Sequence, residues 1–153
     1  MDSYDVMPGH LVRRLQQAAV AIFQAEVARA GYDMTPVQYA ALTAVRVNPG
    51  IDQATLAGLI AYDRTTITGV VDRLTQKGFL TREPSETDRR ARILQVTERG
   101  HTALREIQPA VEQAQRIMLR GLDETESQEF MRLLAKTVGA VNELSRAPLK
   151  ATR

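Results

Sequence analysis

Apolar residues along this chain recur mostly every third or fourth position, the period of a helix with one buried face. Leu11, Leu15, Ala18, Ala19, Ile22 and Val27 keep that spacing and predict a first helix from Leu11 to about Ala30, closed by Gly31. The stretch "TPVQYAALTAVRVNPG" predicts a second, with Thr35 as cap, Pro36 at the first helical position, Gln38 three residues after the cap, and Asn48, Pro49 and Gly50 as the stop. Asp52 caps a short third helix, "QATLAGLI", and Ala61 and Tyr62 form a tight connection to a fourth. In that fourth helix Asp63 is the cap, Ile67, Val70, Val71 and Leu74 form the buried side, and Lys77 and Gly78 close the end.

The period then shortens. "FLTRE" and "ARILQV" alternate or run apolar as short strands do, and the polar "PSETDRR" between them predicts a hairpin with a charged tip. Helical spacing returns at Thr97, which caps "ERGHTALREIQPAVEQAQRIMLRGL" with Leu104, Ile107, Val111, Ala114, Ile117 and Met118 on one stripe. Pro109 inside it is expected to bend the helix or split it in two. Asp123 and Glu126 make a capping box for a last helix carrying Phe130, Leu133, Leu134, Val138 and Val141, and the tail "SRAPLKATR" reads as frayed and basic. No internal repeat and no dividing linker interrupts this order, so the fold class is mainly α with one small β-hairpin.

Helix, short turn, helix and then a hairpin with a basic tip is the winged form of helix-turn-helix, whose second helix enters a DNA major groove. The start of the fourth helix fits that use. Arg64, Thr65, Thr66 and Thr68 offer short donors and acceptors to base edges and phosphates, where apolar residues would read almost nothing. Arg73 and Lys77 lie further along, placed for backbone phosphates. Arg89, Arg90 and Arg92 sit at the hairpin tip, from which a long arginine reaches a narrow, electronegative minor groove. Each residue also has a plainer use. The threonines serve as caps, Arg73 pairs with Asp72 or a nearby glutamate, and Glu83, Glu86 and Asp88 almost cancel the arginine charge of the hairpin. The order of elements, with a cation at each expected contact, favours DNA.

Composition removes other classes. A chain of 153 residues with 44% hydrophobic content builds one ordinary core. No run reaches the roughly 18 apolar residues of a membrane span, and "MDSYDVMPGH" lacks the regions of a signal peptide, so a cytoplasmic location is expected. With no cysteine, disulfides, thiolate metal sites, cysteine nucleophiles and regulation by thiol oxidation are excluded. The two histidines, His10 and His101, lie far apart, and nothing gathers a nucleophile, an acid–base pair or a metal cage. His101 reads as a solvent-facing helix residue. Neither an enzyme nor a cofactor is expected, and the net charge of +2 permits an anionic partner without requiring one.

The run "DRRARILQVTERG", with the preceding "TTITGVVDRLTQKGFLTRE", resembles the MarR family of bacterial winged-helix transcriptional regulators. Its pattern of Asp, any residue, Arg, six residues, Thr, two residues and Gly falls on Asp88, Arg90, Thr97 and Gly100. The resemblance implies that Arg90 enters the minor groove and that Asp88 holds the wing in shape. It also implies one whole-chain domain in which about residues 35–100 form the DNA module and about 8–31 and 101–146 form dimerisation helices. Apolar stripes on the terminal helices point the same way, because a small winged module leaves them uncovered and a second copy covers them. A homodimer then presents two recognition helices roughly 34 Å apart to a pseudo-palindromic operator.

Family members commonly hold small aromatic or anionic molecules between the dimerisation helices and the DNA module. His10 and Arg14, four residues apart on the first helix, and Tyr39 on the second supply an imidazole, a cation and a phenol for an aromatic carboxylate. Arg13 lies beside them. The plainer uses are a subunit contact for His10 and a core or interface position for Tyr39. The expected function is a repressor released from double-stranded operator DNA by such an effector. The alternatives are a helical protein–protein interaction module without DNA binding and a ligand-insensitive DNA-binding protein.

Overall fold

A computed structural model describes residues 3–150. After a 3-10 turn at Tyr4–Val6, the elements are α1 (Pro8–Arg29), α2 (Pro36–Val47), α3 (Gln53–Leu59), α4 (Arg64–Gln76), β1 (Leu80–Pro84), β2 (Arg92–Val96), α5 (Glu98–Met118) and α6 (Glu124–Ala140), with a final 3-10 turn at Asn142–Leu144. The protein is mainly helical with one two-stranded antiparallel hairpin, the winged helix-turn-helix fold.

Boundaries follow their caps. Thr35 and Gln38 close a reciprocal capping box on α2, and Asp123 and Glu126 do the same on α6. The Asp52, Asp63 and Thr97 side chains each accept the N–H three residues ahead. At the end of α4, Gly78 takes φ +80°, the Gly78 N–H donates to the Thr75 carbonyl, and the Phe79 N–H donates to the Leu74 carbonyl. These are the paired bonds of a Schellman motif, and they turn the chain directly into β1.

The core gathers between α2, α4, the hairpin and the first half of α5. Leu42, Val45, Leu56, Ile67, Val71, Leu74, Leu80, Leu94, Leu104 and Ile107 are buried there, joined by Phe23 and Val27 from the last turns of α1. The hairpin runs in register from Leu80 opposite Val96 to Pro84 opposite Arg92. A third edge adds to it where the Gly50 N–H donates to the Leu94 carbonyl at 3.0 Å and the Leu94 N–H donates to the Ile51 carbonyl at 2.9 Å. That edge ties the wing to the start of α3.

Three sequence expectations are corrected here. Of the two outcomes expected at Pro109, a bend or a split, the split does not occur, for one helix runs from Glu98 to Met118. The carbonyl that loses its donor belongs to Arg105, an exposed residue of α5. His101 is half-buried rather than solvent-facing. The tail does not fray within the described residues, because the Lys150 N–H donates to the Gly58 carbonyl at 2.9 Å.

Much of the apolar surface of the terminal helices is left open. Leu11, Val12, Met131, Leu133, Val138 and Val141 are exposed, and α6 buries no residue at all. Among the described residues no helix is long and apolar enough to cross a membrane.

Candidate nucleic-acid interface

Helix α4 divides cleanly into a buried and an open side. Ile67, Val70, Val71 and Leu74 lie against α2 and α3, while Arg64, Thr65, Thr66, Thr68 and Arg73 are exposed. The Asp63 carboxylate accepts the Thr66 N–H at 2.8 Å and fixes the first turn. Backbone N–H donation from Thr66 is the main cause that holds this carboxyl below the ordinary aspartate range, so the cap stays charged. Ala61, in the turn before it, takes φ +58°, a left-handed conformation that brings α4 close after α3.

The wing comes to the same side. A cavity of about 540 Å³ lies between α3, α4 and the hairpin tip, lined by Asp52, Gln53, Arg64, Thr68, Asp88, Arg90 and Arg92 among others. Three arginines and two aspartates thus line the space beside the exposed start of α4. Asp88 has a structural task in this arrangement. It accepts the Arg90 N–H at 2.9 Å on its side chain and the Ala91 N–H at 3.1 Å on its carbonyl, while the Ser85 hydroxyl accepts the Asp88 N–H. Arg89 and Arg90 are left exposed at the tip of this closed turn.

Three expected contacts change. Lys77 is drawn back into the protein, where its ammonium donates to the Asp33 carbonyl and, at 3.1 Å, to the amide oxygen of buried Gln38. Gln38 is occupied by the α2 capping box, so Lys77 completes that buried polar network instead of facing phosphates. Thr68 is exposed, yet its hydroxyl donates to the Arg64 carbonyl at 2.9 Å and accepts from Gln53 Nε2 at 3.0 Å. Its proton is committed to its own helix. Among the described residues Arg73 does not pair with its helix neighbour Asp72, which instead accepts from Arg82 of β1 at 2.6 Å.

Gln53 lines the same cavity and is a candidate residue that the sequence reading missed. Its amide links the first position of α3 to α4, and its Oε1 is buried with no protein partner among the described residues. A polar amide directly after a cap was the available signal, but any solvated helix start looks the same.

The expected effector residues lie elsewhere. His10 packs edge-on against Tyr4 at 5.2 Å between ring centres, Arg14 is exposed, and half-buried Tyr39 meets Phe23 at 5.8 Å. Tyr39 is thus at the rim of the core, while half-buried His10 and exposed Arg14 stand near the start of α1. A second cavity of about 460 Å³, walled by Tyr32, Lys77, Phe79 and Arg99, includes none of the three.

Similarity to known proteins supports the same fold and class. Residues 34–91 match the MarR family. The HTH-type transcriptional repressor NicR of Pseudomonas putida is 32% identical over 137 residues, spanning 88% of this chain and 85% of NicR. The PcaV transcriptional regulator of Streptomyces coelicolor, solved with its natural ligand, superposes with a TM-score of 0.83 at 31% identity over 92% of this chain and 98% of PcaV. BpsR of Bordetella bronchiseptica, whose DNA binding is regulated by 6-hydroxynicotinic acid, superposes with a TM-score of 0.81 at 28% identity over 90% and 96% of the two chains. This chain belongs to the MarR family and is a transcriptional regulator of that type, not an enzyme.

Proposed function

We propose that this regulator is a homodimeric repressor that sets α4 of each protomer into successive major grooves of a pseudo-palindromic operator, with Arg90 in the adjacent minor groove. The observation that carries this reading is the convergence of Arg64, Arg90 and Arg92 on the exposed start of α4, a helix whose opposite side is wholly buried. Thr65 and Thr66 read base edges, Arg73 and Arg89 meet phosphates, and Asp88 keeps the wing turn closed. Thr68 and Gln53 act together, one fixing the other beside the groove.

The second copy covers the apolar faces of α1 and α6, so these helices and the distal part of α5 form the dimerisation region, and about residues 35–100 form the DNA module. Packing Met131, Val138 and Val141 against a partner removes from water the surface that the chain itself leaves open. The effector is a small aromatic acid held by His10, Arg14 and Tyr39, in keeping with the ligand named for BpsR and the ligand-bound form of PcaV. Its binding changes the spacing of the two DNA modules, and both recognition helices then no longer fit successive grooves.

Fluorescence anisotropy on the duplex upstream of this chain's own gene tests the reading. Affinity falls steeply with salt, and Arg90→Ala weakens binding by about 1 to 3 kcal/mol. Unchanged affinity in that variant rejects the wing contact. Thermal shift with hydroxynicotinate and related aromatic acids tests the effector: a rise in Tm that Arg14→Ala removes is expected, and no rise with any of them leaves the effector site without support.

A further inference from the structure

The chain after α6 folds back onto the helix-turn-helix. Asn142 first clamps Leu149 from both sides, its Nδ2 donating to the Leu149 carbonyl at 3.0 Å and its Oδ1 accepting the Leu149 N–H at 2.9 Å. The Lys150 N–H then donates to the Gly58 carbonyl at 2.9 Å, in the last turn of α3. The aliphatic stem of Lys150 covers Gly58 so closely that a Cβ there would stand 3.0 Å from Lys150 Cδ. Between these attachments, the Arg146 guanidinium lies 3.6 Å from the carboxylate of Asp63, the cap of α4.

Asp63 has two opposed effects. Its charge is needed to hold the first turn of α4, and that same charge stands where a polyanion must approach. Arg146 offsets it. The Arg146 side chain is 90% exposed, so the pair contributes little to folding. A guanidinium carries five N–H donors, and one long contact to Asp63 leaves most of them open to a further acceptor.

We propose that residues 145–150 form a C-terminal arm of the DNA-binding surface, in which Arg146 neutralises the Asp63 cap and donates to a backbone phosphate beside the start of α4. This rests on the DNA-binding reading above. The arm also gives α6 a direct attachment to the module that α4 belongs to, separate from the covalent route through α5.

Full-length protein and a fluorescein-labelled duplex of the DNA upstream of its own gene provide the test, with affinity measured across a salt series. Loss of one phosphate contact makes the slope of log K against log salt shallower by about 0.9. Arg146→Gln is therefore expected to show that change, with roughly fivefold to tenfold weaker binding at 0.1 M salt and an unaltered Tm. Arg146→Lys, which keeps the charge, retains most of the slope. Asn142→Ala frees the arm and weakens binding although Arg146 is still present. If wild type binds with a steep slope and Arg146→Gln keeps both slope and affinity, the arm is overturned while DNA binding stands. If wild type binds no duplex, the DNA reading itself fails.

Discussion

At Gly100 the missing side chain is a packing requirement, since a Cβ there would stand 2.3 Å from the Phe79 carbonyl oxygen. Thr97 explains the other half of this motif. Its hydroxyl donates to the Gly78 carbonyl at 2.6 Å and accepts the Gly100 N–H at 3.0 Å, so one side chain joins the end of α4 to the start of α5. Gly100→Ala must push α5 away from a backbone atom, and a loss of about 1 to 3 kcal/mol or more is expected, read as a lower urea midpoint. Ala61 presents the opposite case. Its left-handed φ is costly for any residue with a Cβ, so Ala61→Gly raises thermal stability or leaves it unchanged. Lys77 separates stability from DNA contact: Lys77→Met lowers Tm by unpairing the Gln38 network, and leaves the salt dependence of DNA binding as it was.

Among the elements, the short helices depend on their caps more than on length. Helix α3 has seven residues, too few for a stable helix in isolation. Asp52 is pushed up by partial burial and pulled down further by donors from Thr55, leaving its carboxyl below the ordinary aspartate range. A carboxyl whose folded value is lowered contributes stability that is present above the unfolded value, about pH 4, and is lost as acid carries pH through the folded value. Wild type is therefore expected to lose stability as pH falls below about 4 by a margin that Asp52→Asn does not show, measured by urea denaturation at each pH. The wing has a similar local logic, in which Asp88 and Ser85 close the tip and Arg82 pins β1 to Asp72 of α4.

For the whole molecule, α6 is the element that a single chain leaves unexplained. It packs on no other helix of its own chain closely enough to bury a residue, yet it carries Met131, Val138 and Val141 on exposed positions. Val138→Glu places a charge in the face assigned to the partner, and light scattering should show a shift from dimer to monomer. Operator affinity falls with it, because two half-sites then bind separately. A wild-type chain that is monomeric at micromolar concentration would remove the two-half-site arrangement.

Local chemistry settled much of this protein in advance. Caps at Thr35, Asp52, Asp63, Thr97 and Asp123, stops at Gly31 and Gly78, and the change of period at the hairpin depend on residues within a few positions of each other, and these were legible in the sequence. The exposed start of α4 was legible for the same reason, since its buried side follows from helical spacing alone. Tertiary structure decided what depends on contacts between residues far apart in the chain. It drew Lys77 onto Gln38, gave the Thr68 hydroxyl to Gln53, and joined the edge at Gly50 and Ile51 to β2. It also laid the tail over Gly58 and Asp63. A side chain's charge and length are written in the sequence, but the partner that claims it is set by which surfaces the packed helices bring within hydrogen-bonding distance.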